Sequence, residues 1–425
     1  MVDISNSRDC RSTIERLVGQ AHVRDAAAKD LVEGVQPRWV VEAGSAAEVA
    51  GVLAVADAGA LRVIPRGGGT KLGWGNPPRA ADIILSTKRL DRVLEHAFGD
   101  MTASVQAGCT VAAFNRHLSA HDQRLAIDPL WPANATIGGI LATNDSGALR
   151  ANFGALRDQL IGVTVALADG TIAKSGGKVV KNVAGFDLPK LFTGSFGTLG
   201  VIVEATFRLY ACPKATRVAR FTVQNDDQLG RVLTALNARS SLTASVQIEA
   251  SSDGVAAIVL GIEGLADAIE GKLREIVRAA LDAHATREDR RIDSEASAER
   301  LFGAGDTCVC KVSLSPTQWP GFLTAVRDVA TSAAVRWKVV GQAMGVGLLS
   351  LGGSDLERVY DSLLLLRAYL EKSQGSLVVL QGAGDVARRI DAWPQAHAAL
   401  PLMRRVKAQF DPKTILSPGR FIGGI

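Results

Sequence analysis

The run Pro65-Arg66-Gly67-Gly68-Gly69-Thr70 is suited to holding an anion. Three consecutive glycines allow the backbone to turn with its N–H groups facing inward, a concave nest that fits a diphosphate. Arg66 adds a charge and Thr70 a hydroxyl; the alternative reading is a merely tight loop. A second strip holds Thr136, Gly138, Gly139, Thr143, Asn144 and Ser146, ending at Gly147, and mixes close-approach backbone with small hydrogen-bonding groups. Such a surface suits a flat polar ring as well as a phosphate, and it reads equally as a structural loop. Gly194–Gly200, which leads into a strand, is the third. Three glycine-rich segments in one region imply a single elongated ligand touched repeatedly by backbone.

Other chemistries fit less well. Gly177-Lys178 is followed by Val179, so no phosphate loop of the Gly-Lys-Ser/Thr kind is present. Gly382-Ala383-Gly384-Asp385-Val386-Ala387 formally matches a dinucleotide fingerprint. However, Asp385 would set a carboxylate against the pyrophosphate, and too little chain remains for a βαβαβ half. His117 and His121 are spaced i, i+4 on an expected helix, but Leu118 stands where a zincin glutamate would be, and no third ligand is evident, so no metal is expected. Cys308 and Cys310 alternate along a strand and point to opposite faces. No cysteine run suits an iron–sulfur cluster, and no Gly-x-Ser-x-Gly elbow occurs.

The elements that must position these residues follow from the wider chain. Of 43 glycines in 425 residues, 19 fall between positions 65 and 200, so the excess is local to the region that holds the three segments. The 47% hydrophobic and 21% charged content suits a folded protein of two or three domains. A net charge of +5 with no basic run argues against nucleic-acid binding. No stretch approaches about 20 uninterrupted apolar residues, so no transmembrane segment is expected. The start reads as no secretory signal, and five scattered cysteines suit a reducing compartment.

Residues 1–35 read as a helical flank. Ser45 and Glu48 make a capping box, strands are expected at Leu61–Pro65, Ile83–Leu85 and Thr102–Gln106, and a helix opens at Thr110. A hairpin around Asp169-Gly170 predicts a type I′ turn. Beyond residue 215 the order βαββα occurs twice, with a polar linker near 285–307, which predicts a mostly antiparallel sheet covered by helices.

PRGGGTKLGWG, AGCTVAAFNRHL, DPLWPANATIGGILATNDSGALR, FGALRDQLIG, the block KVVKNVAGFDLPKLFTGSFGTLG and the tail FDPKTILSPGRF, in this order, closely resemble the flavin domain of the vanillyl-alcohol-oxidase (PCMH-type) superfamily. The KVVKNVAGFDLPKLFTGSFGTLG block and the tail are similar to the FAD-binding E subunits of bacterial glycolate oxidases. The resemblance implies an α+β fold, with a two-subdomain PCMH-type FAD-binding domain over 36–214, an antiparallel-sheet cap over 215–399 and a tail, 400–425, returning to the flavin domain. It implies FAD with Arg66–Thr70 on its diphosphate, and Pro132, Thr136–Gly139, Thr143–Gly147 and Asn182 beside it. Gly197, Gly200 and Ile202 would lie along the adenine side. Thr70 occupies the position that is histidine in covalent relatives, so the FAD should be non-covalent, with Cys109 no flavin link.

The chemistry so implied is oxidation of a small 2-hydroxy acid, glycolate to glyoxylate, by hydride transfer to flavin or by electron relay. Lys178, Lys181 and Arg157 are the cations available for the substrate carboxylate. The family tail often reads Asn-Pro-Gly where Ser417-Pro418-Gly419 stands here, and Phe186 replaces a usual tyrosine. The His-x-Gly-Asp-Gly-Asn-x-His segment of catalytic relatives is absent. The expected partners are therefore a second flavin subunit and an iron–sulfur subunit. Alternatives are a self-sufficient dehydrogenase and a non-catalytic scaffold. The expected location is cytoplasmic, with peripheral attachment to the inner face of the membrane through partners.

Overall fold

A computed structural model of the chain describes residues 7–177, 186–239, 241, 243–288, 298–302, 306–383, 386–394 and 398–425. They form two compact units. One comprises Met1–Ser146, Ala155–Cys212 and Gln395–Ile425, and the other Gly147–Gly154 with Pro213–Pro394.

Among the described residues the first unit holds a four-stranded and a five-stranded sheet, with a short two-stranded ladder between Gln123–Arg124 and Tyr210–Ala211. Trp39–Glu42, Ile83–Ser86 and Val63–Arg66 pair in parallel, and Val23–Asp25 adds an antiparallel edge. The helix Ala46–Ala58 supplies the crossover. Ser45 Oγ accepts the Glu48 N–H at 3.1 Å, and the Glu48 carboxylate returns to the Gly44 N–H at 2.8 Å, a capping box displaced by one residue on its return arm. Val49, Val52, Leu53 and Ala56 of this helix pack with Val41, Val63 and Leu85. Among the described residues of the N-terminal flank, Ser7–Val18 is α-helical and Gln20–His22 and Ala28–Asp30 are short 3₁₀ turns. Gly19 (φ 89°) ends that helix, and the chain then turns into the edge strand instead of continuing the expected helix.

The second sheet is antiparallel, in the order Val93–Ala97, Thr102–Gln106, Val201–Arg208, Leu160–Ala166, Ile172–Gly176. Val201–Arg208 alternates inward Val203, Ala205 and Phe207 with outward Glu204, Thr206 and Arg208, the period of a half-buried strand. The Asp169-Gly170 hairpin forms, but not through a type I′ turn. Only Gly170 of the pair has positive φ (86°), and its N–H closes onto the Leu167 carbonyl at 3.0 Å. A Cβ at Gly170 would lie 2.7 Å from the Ala50 carbonyl, so contact with the helix also constrains this residue.

The C-terminal segment completes the first sheet. The Val63 N–H donates to Ile415 O and the Ser417 N–H to Val63 O, which sets Leu416 beside Val63 as a parallel bridge. Lys407, on the helix Leu400–Phe410, fixes this arrangement. Its ammonium donates to Asp411 Oδ2 (2.5 Å), Thr198 O (2.7 Å) and Leu416 O (3.0 Å), while Asp411 accepts from the Ile415 and Leu416 N–H groups. Both side chains are buried; burial pushes the Lys407 pKa down, and Asp411 opposes that shift.

The second unit carries an eight-stranded sheet built from two halves of the order βαββαβ. In sequence they are Ala215–Val223, Asp226–Asn237, Ser245–Ser251, Gly254–Gly264, Ala266–Asp282, Thr286–Glu288, then Thr307–Ser313, Trp319–Ala333, Arg336–Gln342, Val346–Gly352, Leu356–Lys372, Ser376–Gln381. Strand order within the first half is fourth–first–third–second. The second half follows as second–third–first–fourth, joined by antiparallel pairing of Ser245–Ser251 with Arg336–Gln342. Phe221, Ile248, Leu260, Trp319 and Phe322 fill the core under the helices. The first half thus gains a strand beyond the expected βαββα, and the second is completed by the apolar strand Ser376–Gln381 that the sequence also predicts. Thr286–Glu288 lies inside what reads as a polar linker, held by pairing with Arg220–Thr222.

Substituting Lys407 by methionine leaves the Asp411 carboxylate buried without its cation. We expect a loss of about 3–5 kcal/mol in urea unfolding, and a loss below about 1 kcal/mol would show that the pair does not hold the tail.

Candidate functional site

In the first unit, four segments enclose an open cleft of about 800 Å³: the end of the strand Val63–Arg66 with the loop after it, the helix Ile137–Thr143, the turn Ser195–Ile202, and the tail at Ser417 and Arg420. Of the residues singled out from sequence, Arg66, Gly67, Gly68, Gly69 and Thr70 line it from one segment, and Thr136, Gly138, Gly139 and Thr143 from the second. Gly197, Gly200 and Ile202 line it from the third.

The others lie elsewhere. Ile137 is fully buried in the adjoining core, and the Pro132 carbonyl accepts the Ala112 N–H at 2.9 Å. Asn144 caps its helix in the left-handed region (φ 47°), and its Oδ1 is buried without a partner. Neither Asn144 nor Ser146 lines the cleft, and Gly147 belongs to the second unit. Arg157 is exposed on the short helix Leu156–Gln159 and does not line this cleft. Lys178, Lys181 and Asn182 lie outside the described residues, as do Gly384 and Asp385 of the fingerprint-like run.

The strip read as a loop is a capped helix. Thr136 Oγ1 accepts the Gly139 N–H at 3.3 Å, while the Ile137 and Gly138 N–H groups donate to Cys109 O and Ala107 O. Its first-turn donors are therefore consumed inside the protein, and the helix serves as a wall. The Gly67–Gly69 loop behaves oppositely: among the described residues its three N–H groups have no intramolecular acceptor. The two surfaces nearly touch. A Cβ on Gly68 would lie 1.8 Å from Asn134 O, and one on Gly67 would lie 2.0 Å from Thr136 Oγ1. Gly69 needs its freedom for a positive φ (81°).

Among the described residues three cations line the cleft, Arg66, Lys71 and Arg420, and no carboxylate does. Arg66 Nη1 lies 2.9 Å from Asp30 Oδ1. The buried Asp30 carboxylate also takes both Arg24 nitrogens and the Ala27 N–H. Arg24 above all, with Ala27 and Arg66, holds its pKa far below the usual carboxylate range against the opposing effect of burial. Lys71 bonds Leu130 O and Asp145 Oδ2, each at 3.1 Å, with Trp74 and Trp131 rings 5.5 and 5.3 Å from its ammonium. Arg420 donates to the carbonyls of Leu72 and Trp74; burial pushes its pKa down to about 10 despite nearby Glu33. Sequence reasoning missed Lys71 and Arg420, although Lys71 directly follows the loop and Arg420 stands in the quoted tail.

The i, i+4 histidines find a neighbour, with His96 at 5.7 Å from His117 and 5.2 Å from His121 between ring centroids. His96 Nε2 pairs with Gln123 Oε1 and His121 stacks on Phe98. Among the described residues no group of three or more His, Cys, Asp or Glu is placed to hold a metal, and no helix is long and apolar enough to cross a membrane.

Backbone donors without acceptors, a cationic lining and no carboxylate fit a diphosphate-bearing cofactor. Residues 37–176 match the family described as FAD binding domain. That segment is similar to FAD-binding domains. It is 24% identical over 416 residues to glycolate oxidase subunit GlcD of Bacillus subtilis (strain 168), covering 90% of this chain and 88% of that one. It is 26% identical to a D-lactate dehydrogenase of Archaeoglobus fulgidus, with 90% and 91% covered. The p-cresol methylhydroxylase structure with substrate bound superposes with a TM-score of 0.77 at 14% identity, over 97% of this chain and 96% of that one. The fold is the α+β, PCMH-type fold that the motifs imply. These comparisons make the flavin domain part of an FAD-dependent oxidoreductase related to 2-hydroxy-acid dehydrogenases. The E-subunit resemblance meets a relative named for the D subunit of a glycolate oxidase.

Two measurements check this geometry. Gly68→Ala should cost about 1–3 kcal/mol in urea unfolding by overpacking against Asn134. Gly99→Ala, where a Cβ meets nothing within 4 Å, should stay within about 0.5 kcal/mol. The second is a pH dependence. With its pKa lowered in the folded state, Asp30 contributes stability that is complete above the ordinary Asp value of about 3.9 and lost as pH falls below it. The stability difference between the wild type and Asp30→Asn should therefore narrow from pH 6 to pH 3, and a constant difference would exclude this role.

Proposed function

We propose that the chain is an FAD-dependent oxidoreductase of small 2-hydroxy acids, glycolate above all, acting as the FAD-binding subunit of a glycolate-oxidising complex. The observation that carries the reading is the cleft, where the Gly67–Gly69 N–H groups and three cations stand with no lining carboxylate inside a domain matched to FAD binding. The full-length relatedness to a glycolate oxidase subunit supplies the substrate class.

In this reading the Gly67–Gly69 N–H groups and Arg66 bind the diphosphate, and Thr70 and Thr136 offer hydroxyls beside it. Ile64, Leu72, Val201 and Ile202 line the same cleft with apolar surface and exclude water from it. FAD held by these residues would supply two-electron oxidation of the carbon that bears the hydroxyl. Lys178 and Lys181 are the proposed partners of the substrate carboxylate. Binding is non-covalent, because Thr70 offers no imidazole and Cys109, the cysteine nearest in sequence to the loop, is buried with its thiol pushed up to about 11, chiefly by desolvation. In this reading the main substrate oxidation, or the base for it, belongs to a second flavin subunit, with electrons leaving through an iron–sulfur subunit; the missing histidine segment supports it. A cytoplasmic location, with peripheral membrane attachment through those partners, fits this arrangement.

A second reading, a self-sufficient 2-hydroxy-acid dehydrogenase, is favoured by the alignment with an archaeal D-lactate dehydrogenase over nine-tenths of both chains. The two readings predict different results for the purified chain. It should be yellow, and acid precipitation should release all of its flavin into the supernatant. Under anaerobic conditions glycolate alone should bleach the flavin much more slowly than in the copurified complex. Fast bleaching by glycolate or D-lactate without partners would support the second reading, and a colourless protein that takes up no added FAD would overturn both.

A further inference from the structure

Asp30 lies upstream of the matched FAD-binding segment, in the 3₁₀ turn Ala28–Asp30 just beyond the edge strand Val23–Asp25. It is 1% exposed, and its four hydrogen bonds fill both carboxylate oxygens. Oδ2 accepts from Arg24 Nη1 (2.6 Å) and the Ala27 N–H (2.9 Å), and Oδ1 from Arg24 Nη2 and Arg66 Nη1 (both 2.9 Å). A carboxylate so saturated has one position, and it imposes that position on whatever it binds. Arg66 gives Asp30 only one of its five N–H donors, and among the described residues no other protein acceptor engages the rest. Its side chain is 15% exposed and lines the cleft one residue before the glycine run. Two guanidiniums around one carboxylate leave one net positive charge, and the more exposed Arg24 takes the bidentate share.

We propose that Asp30 is a positioning residue for diphosphate binding: by holding Arg66 through one nitrogen, it fixes the remaining guanidinium donors at the mouth of the Gly67–Gly69 nest, so that residues 23–30 belong to the cofactor site. This rests on the reading of the cleft as an FAD site. Without Asp30, Arg66 keeps its charge but loses the orientation that presents a planar fork to phosphate oxygens.

The test is a double-mutant cycle on FAD affinity, read by quenching of flavin fluorescence on titration into apoprotein, with the thermal midpoint of each apoprotein measured alongside. Asp30→Asn should weaken FAD binding about tenfold and Arg66→Met at least as much, and the double variant should be no weaker than Arg66→Met alone. Losses that multiply in the double variant would overturn the proposal, because Asp30 would then act on the fold and not through Arg66. Unchanged or tighter binding in Asp30→Asn would also overturn it, by showing that the carboxylate merely neutralises the arginine. If the Asp30→Asn apoprotein does not fold, Asp30→Glu, which keeps the charge but displaces Arg66, should give the same loss in the wild-type background and none in Arg66→Met; equal losses in both would again overturn it. Failure of the wild-type chain to bind FAD would instead sink the FAD reading itself.

Discussion

A single buried ammonium decides where three separate segments of the flavin unit meet. Lys407 reaches the turn at Thr198, the tail at Leu416 and its own helix at Asp411. Asp411 in turn takes the N–H groups of Ile415 and Leu416, so the tail is fixed from both sides. Taking both charges out of water is unfavourable, and it is offset here only because each charge meets several fixed partners. The arrangement lays Leu416 along Val63, and Val63 begins the strand that ends at Arg66 and the glycine loop. The turn, the tail and the loop share the cleft because one cation joins them.

The cleft itself follows a rule of placement. Its three lining cations are each restrained by a partner: Asp30 for Arg66 and Asp145 for Lys71, both outside the lining, and the carbonyls of Leu72 and Trp74 for Arg420, with Glu33 nearby. A carboxylate in the lining itself would repel an anionic ligand, whereas one layer back it orders a long side chain that would otherwise sample many rotamers. The positive charge stays at the surface of the cleft, and its flexibility is removed. The Trp74 and Trp131 rings flanking Lys71 add attraction for the ammonium without adding negative charge.

Much of this was legible in the sequence wherever the signal is local. The capping serine and threonine at Ser45 and Thr110, the alternation of Val201–Arg208 and the repeated order of the second unit are set by residues a few positions apart. Where partners are distant, local pattern fails. The helix Ile137–Thr143 is hidden by two glycines that weaken helix propensity, one of which is needed because a Cβ on Gly138 would lie 2.9 Å from Ala107 Cβ. The edge strand Thr286–Glu288 exists through its pairing with Arg220–Thr222, and its own residues read as polar linker. Arg66 could be picked out as a charge beside a nest, but nothing local links it to Asp30. Lys71 and Arg420 become cleft residues only when Asp145 and the Leu72–Trp74 limb are brought to them.

The excess of glycine between 65 and 200 takes its meaning from the same distinction. Backbone freedom explains Gly69 and Gly197, whose φ values are positive. It does not explain Gly67 or Gly68, where any side chain would strike the segment Asn134–Thr136. These two glycines let one backbone surface lie directly on another, so the nest is braced from behind by the wall that carries the Ile137–Thr143 helix. A nest braced in this way keeps its N–H groups aimed outward without spending them on internal bonds, while the helix behind it spends its own first-turn donors on Ala107, Cys109 and Thr136. Close packing and ligand binding therefore select glycine at the same positions. A glycine-rich run read from sequence as a ligand loop is also a statement about the rigid surface beneath it.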